Sequence, residues 1–130
     1  MISGRVNSYR EAVIEFPVLN AEGQPLMIEA VIDTGFNGGL ALPRALIERL
    51  GLPWRRRGRA TLADGSDILF DVHEGMIVWD GERRRVAVDA VDGNALVGMS
   101  LLFGHELLIE VTPDGQVTIK PLNQSAEPST

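Results

Sequence analysis

Apolar residues in this chain come in short runs separated by Gly, Pro, Asn and Asp. Short runs with frequent turn residues are the pattern of an all-β chain. A first strand is predicted from Glu11 to Leu19, closed by the turn Asn20-Ala21-Glu22-Gly23. Leu26 to Ile32 is almost continuously apolar, broken only by Glu29, and such a run predicts a strand buried on both faces. Leu40-Ala41-Leu42 predicts a short strand. Pro43 then suits the first turn of a helix. Ala45, Leu46, Ile47 and Leu50 stand at helical spacing, and Gly51 is a natural stop.

Further on, Leu62-Ala63-Asp64-Gly65-Ser66 reads as a turn between strands at about Arg59 to Ala63 and Asp67 to Val72. Val72 to Trp79 extends that second strand, Asp80-Gly81 turns it, and Arg85 to Val91 returns. Asp-Gly is a strong hairpin signal because both turn residues tolerate positive φ. In the stretch from Ala95 to Leu102 an apolar pair meets Gly98 and then a short apolar helical turn. Leu107 to Val111 and Val117 to Ile119 flank Thr112-Pro113-Asp114-Gly115, a second Pro- and Gly-containing turn. Met1 to Arg10 is polar, and the first strand is placed only after it. Asn123 to Thr130 is small and polar, so the expected organisation is one domain over 1–122 and a disordered tail over 123–130.

The length of 130 residues fits one domain able to bury a core without staples. There is no cysteine, which excludes disulfides, thiolate metal sites and cysteine nucleophiles. The net charge of −6 disfavours general nucleic-acid binding, despite the runs Arg55-Arg56-Arg57 with Arg59 and Arg83-Arg84-Arg85. Those runs are expected to be solvated strand or loop charge. No apolar run reaches the ~20 residues a membrane helix needs, and no apolar leader segment is visible near Met1. The expectation is a cytoplasmic protein with no cofactor, no metal, no nucleic acid and no membrane partner. His73 and His105 lie far apart in sequence and are expected to be surface or packing residues. Trp54 and Trp79 are expected to be packing residues too. The Gly-rich stretch Gly35 to Gly39 lacks the Gly-Lys-Ser/Thr of a phosphate loop, and Ser66 and Ser100 stand in no nucleophile-elbow context.

One carboxylate has an unusual address. Asp33 ends the run Ile28-Glu29-Ala30-Val31-Ile32 and is followed by Thr34-Gly35. A carboxylate at the end of a buried strand is partly desolvated and must be held by something. Thr34 offers a hydroxyl to brace the loop, and Gly35 leaves room for another backbone or a ligand.

The order apolar strand, Asp33-Thr34-Gly35, apolar strand, hairpin, and then an apolar pair with Gly98 resembles the retropepsin-like aspartic peptidases. The likeness is strongest to their small bacterial clan AA relatives, in which the triad continues as Asp-Thr-Gly-Phe-Asn-Gly, as at Asp33 to Gly38 here. The resemblance spans roughly Val13 to Ile119. It implies an all-β, closed retropepsin-like barrel (one half of the acid-protease fold) with one or two short helices. It also implies an endopeptidase with Asp33 as the catalytic acid. Thr34, Gly35 and Phe36 would shape the active-site loop, with Thr34 bonding across a dimer axis. Ala63, Asp64 and Gly65 would lie near the tip of a flap, and Val97 and Gly98 beneath the loop. The chain holds one Asp-Thr-Gly, so the second carboxylate of the mechanism implies a homodimer. Two positions depart from relatives of this kind. Phe36 replaces a small residue usual in retroviral and pepsin-like enzymes, and Ser100 stands where many relatives carry an acid or amide. Since fold does not fix function, a non-catalytic dimer of this fold that binds peptide or a partner protein is the second expectation.

Overall fold

In the computed structural model, which describes residues 1–122, glycine and aspartate turns set the course of the chain. The expected 123–130 tail lies outside the described residues. The all-β expectation holds: ten strands lie in one sheet, with two short helices. In chain order they are β1 (Ile2–Val6), β2 (Ala12–Leu19), β3 (Pro25–Ile32), β4 (Leu40–Pro43), α1 (Arg44–Leu50), β5 (Trp54–Thr61) and β6 (Asp67–Trp79). There follow β7 (Glu82–Val91), β8 (Leu96–Val97), α2 (Met99–Leu102), β9 (His105–Ile109) and β10 (Gln116–Pro121). No helix among the described residues is long and apolar enough to cross a membrane.

The local signals act as the chemistry demands. Asp80 and Gly81 both take positive φ, 53° and 86°, and join β6 to β7 in a tight hairpin. Pro43 ends β4 at the N-cap position of α1, one residue before the first turn and without a side-chain cap, and Gly51, at φ 70°, ends the helix by donating its N–H to the carbonyls of Ile47 and Glu48.

The sheet order is β5-β6-β7-β4-β8-β3-β2-β1-β10-β9, and β6 also pairs with β2. Along one edge β6 holds β5 at residues 67–73, then β2, where Val18 faces Ile77 and Leu19 faces Met76. That second pairing closes a ring of pairings through β2, β3, β8, β4, β7 and β6. Closure satisfies backbone groups that an open edge would leave unpaired. Inward-facing Ile14, Val18, Leu40, Ile77, Val88 and Val97 form the core. Phe16 meets Trp79 edge-on at 5.6 Å, and the Trp79 indole N–H donates to His105 Nε2 at 3.4 Å.

Several expectations are corrected. The β3 strand is buried on one face only: Ile28 and Ala30 are inside, whereas Met27 and Glu29 are exposed. On its outer face Met27 is 57% exposed, whereas Val31 is half-buried. The polar N-terminal segment forms a strand, β1, held between β10 and β2. Its Gly4 lies so close to β2 that a Cβ would fall 1.9 Å from the Val13 carbonyl oxygen. The arginine run Arg55-Arg56-Arg57 lies within β5, which begins at Trp54 rather than Arg59. Trp54 is 55% exposed and is not a core residue; its indole N–H donates to Asp71 at 3.1 Å.

Candidate active site

Asp33 leaves the end of β3, where its backbone N–H donates to the Val97 carbonyl of β8 at 2.9 Å. Its half-buried carboxylate folds back on its own loop: Oδ1 accepts the Gly35 N–H at 2.9 Å. The Asp33 carbonyl accepts the Phe36 N–H at 3.1 Å, which completes a tight turn. An Asp bonded to the backbone two residues on is a locally encoded device. The brace expected from Thr34 is therefore supplied by Asp33 itself. The Thr34 side chain is exposed, and its hydroxyl has no protein partner among the described residues.

The loop is clamped from below. Gly98 N–H donates to Gly39 at 2.9 Å, Met99 N–H to Phe36 at 2.8 Å and Ser100 N–H to Gly38 at 3.1 Å, in each case to the backbone carbonyl. The approach needs a glycine at 98. A Cβ there would stand 2.3 Å from the Gly38 oxygen and 2.6 Å from that of Phe36. The Phe36 ring also lies against this point. A Cβ on Gly98 would meet its Cδ2 at 2.6 Å, and one on Gly38 would meet its Cζ at the same distance. The bulk expected near the site is thus folded onto two glycines. From α2, Ser100 and Leu101 present carbonyls to the Arg84 guanidinium, both at 3.4 Å.

Ala63, Asp64 and Gly65 occupy the tip of the β5–β6 hairpin. Strand β6 has β7 as a neighbour only from Val72 onward, so residues 67–71 pair with β5 alone and the hairpin projects from the sheet. Positions 61–69 are all exposed, including Leu62, Ile68 and Leu69, the last at 57%. At the tip Asp64 accepts the Ser66 hydroxyl at 2.6 Å and the Ser66 N–H at 2.9 Å. These two bonds hold the Asp64 carboxyl below its usual range, the hydroxyl contributing most. Gly65 adopts φ 88°. At the hairpin's root Asp71 is met by Arg57 at 3.4 Å and Arg44 at 3.9 Å, and Arg44 reaches Asp92 at 3.1 Å. These pairs are solvated and each contributes little stability. Hydrogen bonds thus join Asp33, Gly35, Phe36, Val97 and Gly98 into one unit with Thr34 carried on it. The hairpin tip makes no hydrogen bond with that unit.

Asp89 is a residue that sequence reasoning passed over. It lies on β7, paired with Ala41 of β4 on one side and Val72 of β6 on the other. Its Oδ2 stands 3.4 Å from where a Cβ on Gly38 would be, so it adjoins the Asp33 loop. Burial pushes its carboxyl up from 3.8, and the Arg56 charge acts in the opposite sense. The signal was available, since Asp89 sits inside the apolar run Val86-Ala87-Val88-Asp89-Ala90-Val91 as Asp33 sits behind Ala30-Val31-Ile32. His73 Nδ1 lies 3.0 Å from the Leu52 carbonyl, and His105 Nδ1 lies 3.1 Å from that of Phe103. No group of three or more His, Asp or Glu side chains suited to a metal occurs among the described residues. No family model matches this chain, and no curated protein matches it.

Proposed function

We propose that this chain is an aspartic endopeptidase that works as a homodimer, each subunit supplying one Asp33 to a shared site. The observation that carries the proposal is a single carboxylate held on a loop that is clamped from beneath by the Gly98 backbone and left open above. The ring of pairings supports a retropepsin-like barrel, and the projecting hairpin supports a flap. Two carboxylates about 3 Å apart share one proton, since both cannot ionise together. The ionised Asp33 takes a proton from water, which attacks the scissile carbonyl. The neutral Asp33 of the second copy hydrogen-bonds the carbonyl oxygen and stabilises the developing charge. The exposed Thr34 hydroxyl is free to bond across the twofold axis. Absence of cysteine suits a cytoplasmic setting.

The test is peptide-library cleavage by wild type beside Asp33→Asn, with melting and light scattering on the same samples. Asn keeps an oxygen for the Gly35 N–H and removes both ionisable carboxyls, and with them the single charge and the shared proton of the pair. The expected outcome is a dimer that melts unchanged or higher and loses about 10²–10⁴-fold in kcat/KM. Retained cleavage with lost stability would overturn the catalytic role, and a strict monomer would remove the shared site. No cleavage by wild type at acidic or neutral pH, with peptide still bound, would favour a non-catalytic peptide-binding dimer. The exposed Leu62, Ile68 and Leu69 of the hairpin would serve such a binder equally well.

A further inference from the structure

The strand registers place one lateral row of residues across six strands. Val13 of β2 faces Val31 of β3, Val31 faces Leu96 of β8, and Leu96 faces Ala41 of β4. Ala41 faces Asp89 of β7, which faces Val72 of β6, and the row continues to Arg56 on β5. Directly paired residues share a sheet face. Val13, Ala41 and Val72 are buried yet stand outside the main core cluster, so this row belongs to the opposite face. From Val13 to Val72 it is apolar except at Asp89.

Asp89 sits where two features of the site meet. The hairpin leaves the sheet at the Val72–Asp89 pair, the last that β6 makes with β7 in that direction. The Asp33 loop passes beside the same carboxylate at Gly38. Half-buried, Asp89 has no side-chain hydrogen bond and no ion pair within 4.0 Å among the described residues. Arg56 stands two strands away, about 10 Å by strand spacing, and forms no ion pair with it. The neighbouring Arg55 and Arg85 are both engaged by Glu74, at 2.9 and 3.0 Å. A carboxylate removed from water without a partner regains what it lost when a charged donor docks on it.

We propose that Asp89 is the specificity residue of this cleft, receiving the cationic side chain of a lysine or arginine in a peptide lying between the Asp33 loop and the hairpin. The proposal rests on the peptidase reading of the site and names its substrate class. Burial raises the Asp89 carboxyl more than the Arg56 charge lowers it, which accords with a carboxylate that has no ion-pair partner within 4.0 Å among the described residues.

The experiment uses the full-length protein and peptide pairs that differ only by lysine or norleucine, placed at each position in turn. Both kcat/KM and binding to Asp33→Asn are measured. Wild type is expected to prefer lysine about tenfold or more at one position. Asp89→Asn should abolish that preference, lowering kcat/KM for the lysine peptide toward that for its norleucine partner. The variant is expected to fold, because Asn removes the ionised form that burial penalises, and Asp89→Glu should restore part of the preference. Arg56→Ala should keep or raise it. If Arg56→Ala instead reproduces Asp89→Asn, Asp89 serves only to hold Arg56 and the proposal fails. Equal treatment of lysine and norleucine at every position, with Asp33-dependent cleavage intact, overturns the role of Asp89 and leaves the peptidase standing. A lysine preference in binding without any cleavage does the reverse. Neither binding nor cleavage overturns both.

Discussion

The Asp33 loop and the tip of the β5–β6 hairpin are built on the same local device and have opposite fates. In each, an aspartate accepts the backbone N–H two residues on, at 2.9 Å, and a glycine stands in the turn. Around Asp33 the turn is pinned by β8 and the start of α2, with the Phe36 ring folded against it. Around Asp64 the same turn stands in solvent with only its own hairpin for support. A short-range hydrogen bond shapes a loop, but what lies beneath decides whether that shape persists. In the proposed peptidase the fixed acid would stand beside a hairpin held only by its own two strands, the kind of element from which lids are drawn.

Two glycines sharpen the contrast. Gly98 is glycine for space: its φ of −108° is open to any residue, but a Cβ would strike the Gly38 and Phe36 carbonyls. Gly98→Val is therefore expected to have the largest effect. It should lower global stability in urea by roughly 1–3 kcal/mol or more and abolish cleavage by displacing the loop. An unchanged midpoint would break the claim that packing holds the loop.

Gly65 is glycine for dihedral angle: at φ 88° it has nothing within 4 Å of a Cβ position. Gly65→Ala should destabilise the tip by about 1 kcal/mol, seen as faster amide exchange at residues 62–66. The global urea midpoint should move less than for Gly98→Val, because the outer hairpin can open while the sheet stays closed. A global shift as large as that of Gly98→Val would show the hairpin to be coupled to the core.

The smallest effect concerns the carboxylate at the tip. Asp64 has a folded pKa below 3.8, so its bonds to Ser66 are fully present at neutral pH. They are lost as pH falls through that lowered value. Asp64→Ala should move the Ser66 amide resonance and speed its exchange at neutral pH without changing the melting temperature. Titration of wild type below about pH 3.8 should bring the Ser66 resonance toward its position in the variant. A transition well above pH 3.8 would contradict the hydrogen-bonded tip.

Turns and caps were decided by sequence, because the preference for positive φ at Gly51, Gly65 and Gly81, with Asp80, belongs to the residue itself. The helix α1 and the β6–β7 hairpin followed from the same local signals. So did Asp33 as the candidate acid, since a carboxylate closing an apolar run is visible in one dimension. Tertiary structure alone decided the rest. Residues 2–6 become a strand because β2 and β10 flank them, and Gly4 is recognisable as a contact only when Val13 is beside it. Arg55 to Arg57 become strand because β6 offers an edge. Phe36 is accommodated because Gly98, 62 positions further along the chain, has no side chain. Asp89 stands beside the Asp33 loop because β4 and β7 pair in parallel. Each of these depends on a partner distant in sequence, and the chemistry of one residue carries no information about which backbone will be brought against it.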